Sequence, residues 1–538
     1  MLKKLLLLTS LVSAQCLAAV PSQFMAKQYS EALGRAPDTG GWQGGTGYAM
    51  TNGCSASTLQ ALAVNVFQSA EYTAKRYTPE ETVLTLYRAI FSREPDDSGF
   101  NFYVNYLKSG HTAAEAVPSM INSGEFASLV PAICAGNAYN PIGSPKRPLD
   151  IGAGTWTQAQ LESCINSNVV CSLPPRTVVY LTSTLTIPAG KVLETSGRPD
   201  RTLYARQARI VRDSATQGIL ILMQSGSTVR NVWVNGGRDR FKSSLRDNGN
   251  AQANVFPNIN YIGGNYGVID SVRSDAPLSA THIATFPVPT PSIPTSPTAF
   301  NGFVAITNNL TTGYTHSHYN DGTPIPWADG ISNHIMSAII SKNDIIDPTD
   351  VGIVIFGHDG ATQGSTASNN IIVHSGHSAY GSLGLDAIQC VYSMPGACRF
   401  TGTGYTNNTI FAGRNQHVDI LLFNGTGPWT GANCTTSREG RCGSGGQISN
   451  NNTIMGDANQ TIQVQVGLTV DGMLNATTGG NTLNVAPMTQ PADRPNGANI
   501  RLACAKGSQM VANAISAGHA SGSMQPGVDA DSDACIGH

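Results

Sequence analysis

Two hydrophobic rhythms divide this chain. Between about residues 22 and 133 apolar side chains recur three and four positions apart, as in Val83, Leu84, Leu86, Tyr87 and Ile90. That is the period of a helix burying one face. Beyond residue 170 the apolar runs are short, often β-branched, and broken by Gly, Pro, Asn or Asp: 178–181, 185–187, 209–211, 219–222, 229–234 and 266–272. Runs this short predict strands. Residues 157–165 stand between the two regimes as a short amphipathic helix, with Thr157 as N-cap and Leu161 and Ile165 on one face.

The helical part contains a repeat. Tyr29, Leu33, Arg35, Pro37, Asp38, Gly41 and Trp42 reappear as Tyr87, Phe91, Arg93, Pro95, Asp96, Gly99 and Phe100, each 58 residues on. Ser69-Ala-Glu71-Tyr72 is echoed by Ser123-Gly-Glu125-Phe126. In each copy Pro ends one helix and Asp caps the next; the spacing around Asp96 and Asp97 does not fit an EF-hand loop. The unit resembles a domain of unknown function common in secreted and surface proteins of bacteria, marked by Leu-Gly-Arg-x-Pro-Asp-x-x-Gly-aromatic. The resemblance implies an extracellular setting and association with a cell surface or matrix.

After Trp327 two series alternate. Asn343, Asn369, Asn407, Asn451 and Asn481 begin turns that lead into short apolar strands, and Asp329, Asp350, Asp386, Asp419 and Asp471 mark a second strand in each period. This predicts stacked coils of two strands each, with longer loops inserted at one corner. Equivalent residues would then lie ~4.8 Å apart, and inward Asn side chains would bond from turn to turn as structural ladders. The helices of ten or more residues that an α/β fold needs between strands are missing. A helix at 157–165 followed by such strands resembles the opening of the pectate-lyase-like superfamily. The expected fold is therefore mainly β: a right-handed parallel β-helix over 151–485 with a small N-terminal all-α domain over 20–135. Residues 136–150 have linker composition, and 486–538 would form a cap or appendage.

Lys3 and Lys4, the apolar run from Leu5 and the small residues Ala18 and Ala19 describe a secretory signal peptide over 1–19. No later segment approaches the ~20 apolar residues of a transmembrane helix. Cys16 falls in the signal. The other ten cysteines form sequence-neighbour pairs, Cys54 with Cys134, Cys164 with Cys171, Cys390 with Cys398, Cys434 with Cys442, and Cys504 with Cys535. Disulfides suit a secreted or periplasmic location, whereas zinc-type spacing is absent. A net charge of −2 without a basic block gives no case for a nucleic-acid partner.

Polygalacturonase-type glycosidases carry Asn-Thr-Asp-Gly, Asp-Asp and Gly-His-Gly on consecutive coils. Trp327-Ala-Asp329-Gly, Thr349-Asp350-Val-Gly and Gly376-His377-Ser resemble these three in order and spacing. The resemblance implies a polysaccharide-cleaving hydrolase with Asp329 and Asp350 as a carboxylate pair and His377 orienting them. It departs from that family at Thr349, which stands where the family keeps its proton donor. Trp327, Tyr319, His358, Asp386, Arg414 and His417 are the expected substrate contacts, with the His316–His318–Asp321 cluster, Asp359 and Trp429 as further candidates. Two alternatives stay open. One is a lyase or epimerase using Ca²⁺ at Asp344, Asp347 and Asp350; the hydrolase itself would need no cofactor. The other is a non-catalytic carbohydrate-binding protein of the surface or matrix.

Overall fold

The computed structural model describes residues 20–139, 148–152, 154–214, 218–241, 257–278, 280–287, 300–313, 328–358, 362–387, 398–425, 443–450, 453–487, 500–503, 509–511 and 514–515.

The repeated motif proves to be a clasp. Asp38 and Asp96 cap the helices Thr39–Asn52 and Asp97–Lys108 by accepting the N–H groups of Gly41 and Gly99. Arg35 then forks onto Glu71 at 2.7 and 2.8 Å and reaches Asp38. Arg93 does the same with Glu125, at 2.6 and 2.7 Å, and with Asp96. Each guanidinium also lies over its motif tyrosine, Arg35 over Tyr29 and Arg93 over Tyr87. The tyrosine hydroxyls press so closely on Gly41 and Gly99 that a Cβ there would clash. The motif is thus explained by structure alone. Capping boxes at Thr78–Glu81 and Thr112–Glu115 start two further helices, and Cys54–Cys134 ties the unit together.

The body is a parallel β-helix in which every paired strand among the described residues is parallel. Thr157 caps the leading helix Gln158–Ser167 through a capping box, and Cys164–Cys171 joins that helix to the first coil. Each coil contributes three strands rather than the two expected, one to each of three sheets. In one coil these are Ser337–Ser341 in the first sheet, Asp344–Ile346 in the second and Val351–Phe356 in the third. The expected run 229–234 is likewise two strands, Thr228–Arg230 and Val232–Asn235, bent at Asn231 with φ +52°. First-sheet strands such as Ser337–Ser341 and Thr366–Ser368 escaped the hydrophobic pattern because Ser and Thr frame their few apolar residues. The strands Ile500–Ala503, Gln509–Val511 and Ala514–Ile515 continue the same pairing at the C-terminal end.

The bend between first and second sheets has two residues, the first left-handed (Asn308, Lys342, Asn369, Asn407; φ +56° to +58°) and the second a buried asparagine. Asn309, Asn343, Asn370 and Asn408 form a ladder of the expected kind, with Asn370 and Asn408 in it rather than the expected Asn369 and Asn407, which supply the left-handed residue. Each of the first three donates to the Oδ1 of the next at 2.9 Å. All four also donate to a carbonyl of the preceding coil, from Ile269, Ile306, Ile340 and Ala367. The Oδ1 atoms in turn accept backbone N–H groups from the coil before.

The helical unit lies against the outer face of the second sheet. Trp42 stacks on Phe411 at 5.6 Å and donates to the Gly456 carbonyl. Further along, Arg88 bridges Glu31, Glu94 and Asp275 at 2.7–2.8 Å, Arg273 meets Glu31 and Asp275, and Arg209 meets Glu94. Trp233 lies beneath Arg209 and donates to Asp275. Burial alone pushes the Glu31 carboxyl up, but Arg273, Arg88 and Lys27 hold it well below the usual glutamate range.

Asn370→Ala removes two donors and an acceptor from the ladder and leaves the Ile340 carbonyl and the Asn343 N–H without partners. It is expected to destabilise the fold by roughly 2–4 kcal/mol, read as a lower midpoint in thermal or denaturant unfolding. An unchanged midpoint contradicts the ladder's role.

Candidate active site

The tight asparagine bend leaves the long connections to the other two corners, not to one corner as the pattern suggested. Val232–Asn235 to Ile259–Tyr261 and Leu310–Thr312 to Ala328–Asn333 run from second to third sheet. Ala280–Thr285 to Gly302–Thr307, Ala379–Asp386 to Cys398–Thr406 and His417–Gly425 to Gly443–Ser449 run from third to first. Both corners border the third sheet. With the second sheet covered, long connections and acidic residues converge on the third.

The aspartates of the second series lie on third-sheet strands or at their ends but do not form one file. Asp329 sits beside Thr281 in the paired register. Asp350, Tyr380 and Asp419 each precede one member of the paired set Val351, Gly381 and Ile420. Asp386 is level with Phe356 and Gly425, and Gly425 with Asp471. Offsetting avoids stacking like charges on adjacent coils ~4.8 Å apart, yet the first three remain close enough to interact. Asp329 is almost enclosed, accepting from Ser332 Oγ at 2.6 Å and from the Val351 N–H at 2.9 Å. Burial pushes its carboxyl up to about 7 against those two donors. Asp350 keeps part of its surface open to solvent. Its environment, and then the charges of Asp329 and Asp386, push its carboxyl well above the usual range. A carboxyl shifted in that direction beside two other acids has the chemistry of a general acid.

The same face carries an aromatic and imidazole cluster at the far end of the strands. His334 Nδ1 lies 3.2 Å from His358 Nε2. His358 stacks on Phe300 and His334 on Phe356. Burial drives the His358 imidazole down to about 3 and holds His334 well below its ordinary value. Burial thus favours the neutral form of both rings. His334 follows a strand as a single histidine between Asn333 and Ile335, and no local motif marks it.

The other expected residues are distributed. His377 is fully buried at the corner between Ile371–His374 and Ala379–Asp386. His417 is half-buried on the third sheet, hydrogen-bonded to Ser378 and 3.5 Å from Asp419. Arg414 lies instead in the seam with the helical unit, where its N–H donates to Asp457 and its guanidinium approaches Met50. Asp344 pairs with Arg201 and accepts the Ala36 N–H. Asp347 accepts from Ser375, Gly376 and Gln23. These two acids hold the seam and the coils rather than a shared cation with Asp350. Among the described residues no group of three or more His, Cys, Asp or Glu is arranged to hold a metal ion. Trp327, Tyr319, Trp429, Asp359 and the His316–Asp321 cluster lie outside the described residues, as do residues 1–19 and Cys390, Cys434, Cys442, Cys504 and Cys535. Cys398 is disulfide-bonded. No helix among the described residues is long and apolar enough to cross a membrane.

Residues 60–130 match the family described as Domain of unknown function (DUF4214). No curated protein matches the chain. Among solved structures it is similar to a variant of the catalytic domain of GH87 alpha-1,3-glucanase in complex with nigerose, at 9% identity and TM-score 0.33, covering 70% of this chain and 68% of that one. The Agl-KA catalytic domain is similar at 14% identity and TM-score 0.28, with the same coverage. The Dettilon tailspike protein is similar at 14% identity and TM-score 0.24, covering 66% of this chain and 64% of that one. Likenesses at this level carry no argument about activity.

Because the folded Asp329 carboxyl titrates near 7 and an unfolded one near 4, the native state binds more protons between those values. Stability from this group is therefore full below about pH 4 and is lost as pH rises toward 7. Asp329→Asn keeps the shape and escapes the loss. Its melting temperature should gain on the wild type steadily from pH 4 to 7, and a pH-independent difference contradicts the assignment.

Proposed function

We propose that the chain is a secreted glycoside hydrolase that cleaves a polysaccharide on the outer face of the third sheet. One observation carries this reading: Asp350 stands with Asp329 and Asp386 on one face, where burial first and then those two neighbouring charges push its carboxyl well above the usual range. In the proposed reaction Asp350 donates its proton to the glycosidic oxygen as the bond to the anomeric carbon breaks. Asp329, on the adjacent coil, supplies negative charge to the developing oxocarbenium ion; water then adds to the anomeric carbon, and the proton it releases restores Asp350. His377 positions the turn into the strand that follows Asp350's by one coil. His358, His417 and Asp386 border the same face and are assigned to substrate contact, as are Tyr319 and Trp327 from the connection leading into it. Support for secretion comes from the leader-like residues 1–19 and from Cys54–Cys134 and Cys164–Cys171. The helical unit, clasped by structural ion pairs, is assigned to covering the second sheet and to surface association.

Incubation with a panel of neutral and acidic polysaccharides should release reducing ends without unsaturated-sugar absorbance. Asp350→Asn should lower turnover by about 10³-fold or more while circular dichroism stays unchanged. Unsaturated products would mark a lyase, and undiminished turnover in the variant would remove Asp350 from the reaction.

A further inference from the structure

Asp457 is buried in the seam with one oxygen satisfied and the other not. Its Oδ2 accepts from Ser22 Oγ at 2.6 Å and from the Arg414 N–H at 2.7 Å. Its Oδ1 is enclosed without a hydrogen bond, and the Arg414 guanidinium stands off at 3.8 Å. Burial outweighs these donors and raises the carboxyl above the usual aspartate range. A half-satisfied buried carboxylate calls for a further cation or donor.

The chain itself can supply one. Ser22 is only two residues after Val20, and its N–H donates back to the Val20 carbonyl at 2.9 Å, folding this short segment on itself. Val20 is 3% exposed and its carbonyl packs against Gly136. Ser22 in turn packs against Gly413, next to Arg414. The boundary expected for the leader falls between residues 19 and 20. An internal peptide N–H at Val20 carries no charge, whereas a new chain terminus there carries an ammonium with a pKa near 8.

We propose that cleavage before Val20 creates the missing partner of Asp457, so that leader removal and final seating of the helical unit are one event. Water splits the 19–20 amide, its oxygen leaves with the leader as the new carboxylate, and the Val20 nitrogen takes both of water's hydrogens to become an ammonium. Once free, that terminus pairs with Asp457 Oδ1 and pins the first helix, Ser22–Lys27, against the last coils. The inference rests on the leader assigned under the proposed function.

The test compares the mature chain beginning at Val20 with one retaining Ala18-Ala19 ahead of it, each with and without Asp457→Asn. The authentic terminus should raise the melting temperature by about 2–5 °C, and the gain should vanish in the Asp457→Asn pair. Equal melting of the two wild-type forms overturns the pairing whether or not the Asp457 variant folds well. Intact mass of the exported protein separates the two premises. A chain starting at Val20 supports the cleavage site, and one starting elsewhere overturns it without touching the hydrolase reading.

Discussion

Everything in the body depends on how its backbone is satisfied at the bends. Strands pair along the stack, but a two-residue bend turns N–H and C=O groups inward with no strand opposite them. The file of Asn309, Asn343, Asn370 and Asn408 answers this by bonding both to its neighbours and to the coil before. An insertion at that corner would break the file, so chain length can vary only at the other two. Both of those flank the third sheet. The position of the candidate site is thus a consequence of the ladder as much as of any catalytic motif.

A second constraint disposes of another face. The helical unit is attached through charges as well as apolar contacts such as Trp42 on Phe411: Glu31, Arg88, Glu94, Arg209, Arg273 and Asp275 form a continuous buried network around Trp233. Such a network adds little net stability compared with a well-packed apolar seam, but losing one member leaves its partners as uncompensated buried charges. It therefore specifies one docking geometry strongly. Of the six members, three come from the helical unit and three from the second sheet, so neither half is complete alone.

Much of this was legible in the sequence, for identifiable reasons. The 58-residue repeat, the Asp38 and Asp96 caps, the Thr157 helix and the asparagine ladder all announce themselves by local spacing, and two of the expected disulfides are present. The third strand of each coil was not legible, since stretches such as Ser337–Ser341 hold only three apolar residues between two serines, too few positions to register. Nor was the seam, because Arg273 and Glu31 lie 242 residues apart and meet only after both halves have folded. For the proposed site, the Asp series marked the strands of the third sheet, but not the offset that spares the acids from stacking. The pairing of His334 with His358, and the diversion of Arg414, Asp344 and Asp347 into structural work, are tertiary facts with no local signature.

The central claim is that the coils bring Asp329, Asp350 and Asp386 into one electrostatic field on the third sheet. It is tested most directly by following the Asp350 carboxyl alone, through its ¹³C resonance, as pH is varied. The account predicts a midpoint well above the ordinary aspartate value, falling back toward it when Asp386 is replaced by Asn. A midpoint near 4 in the unaltered protein, insensitive to Asp386, would contradict it.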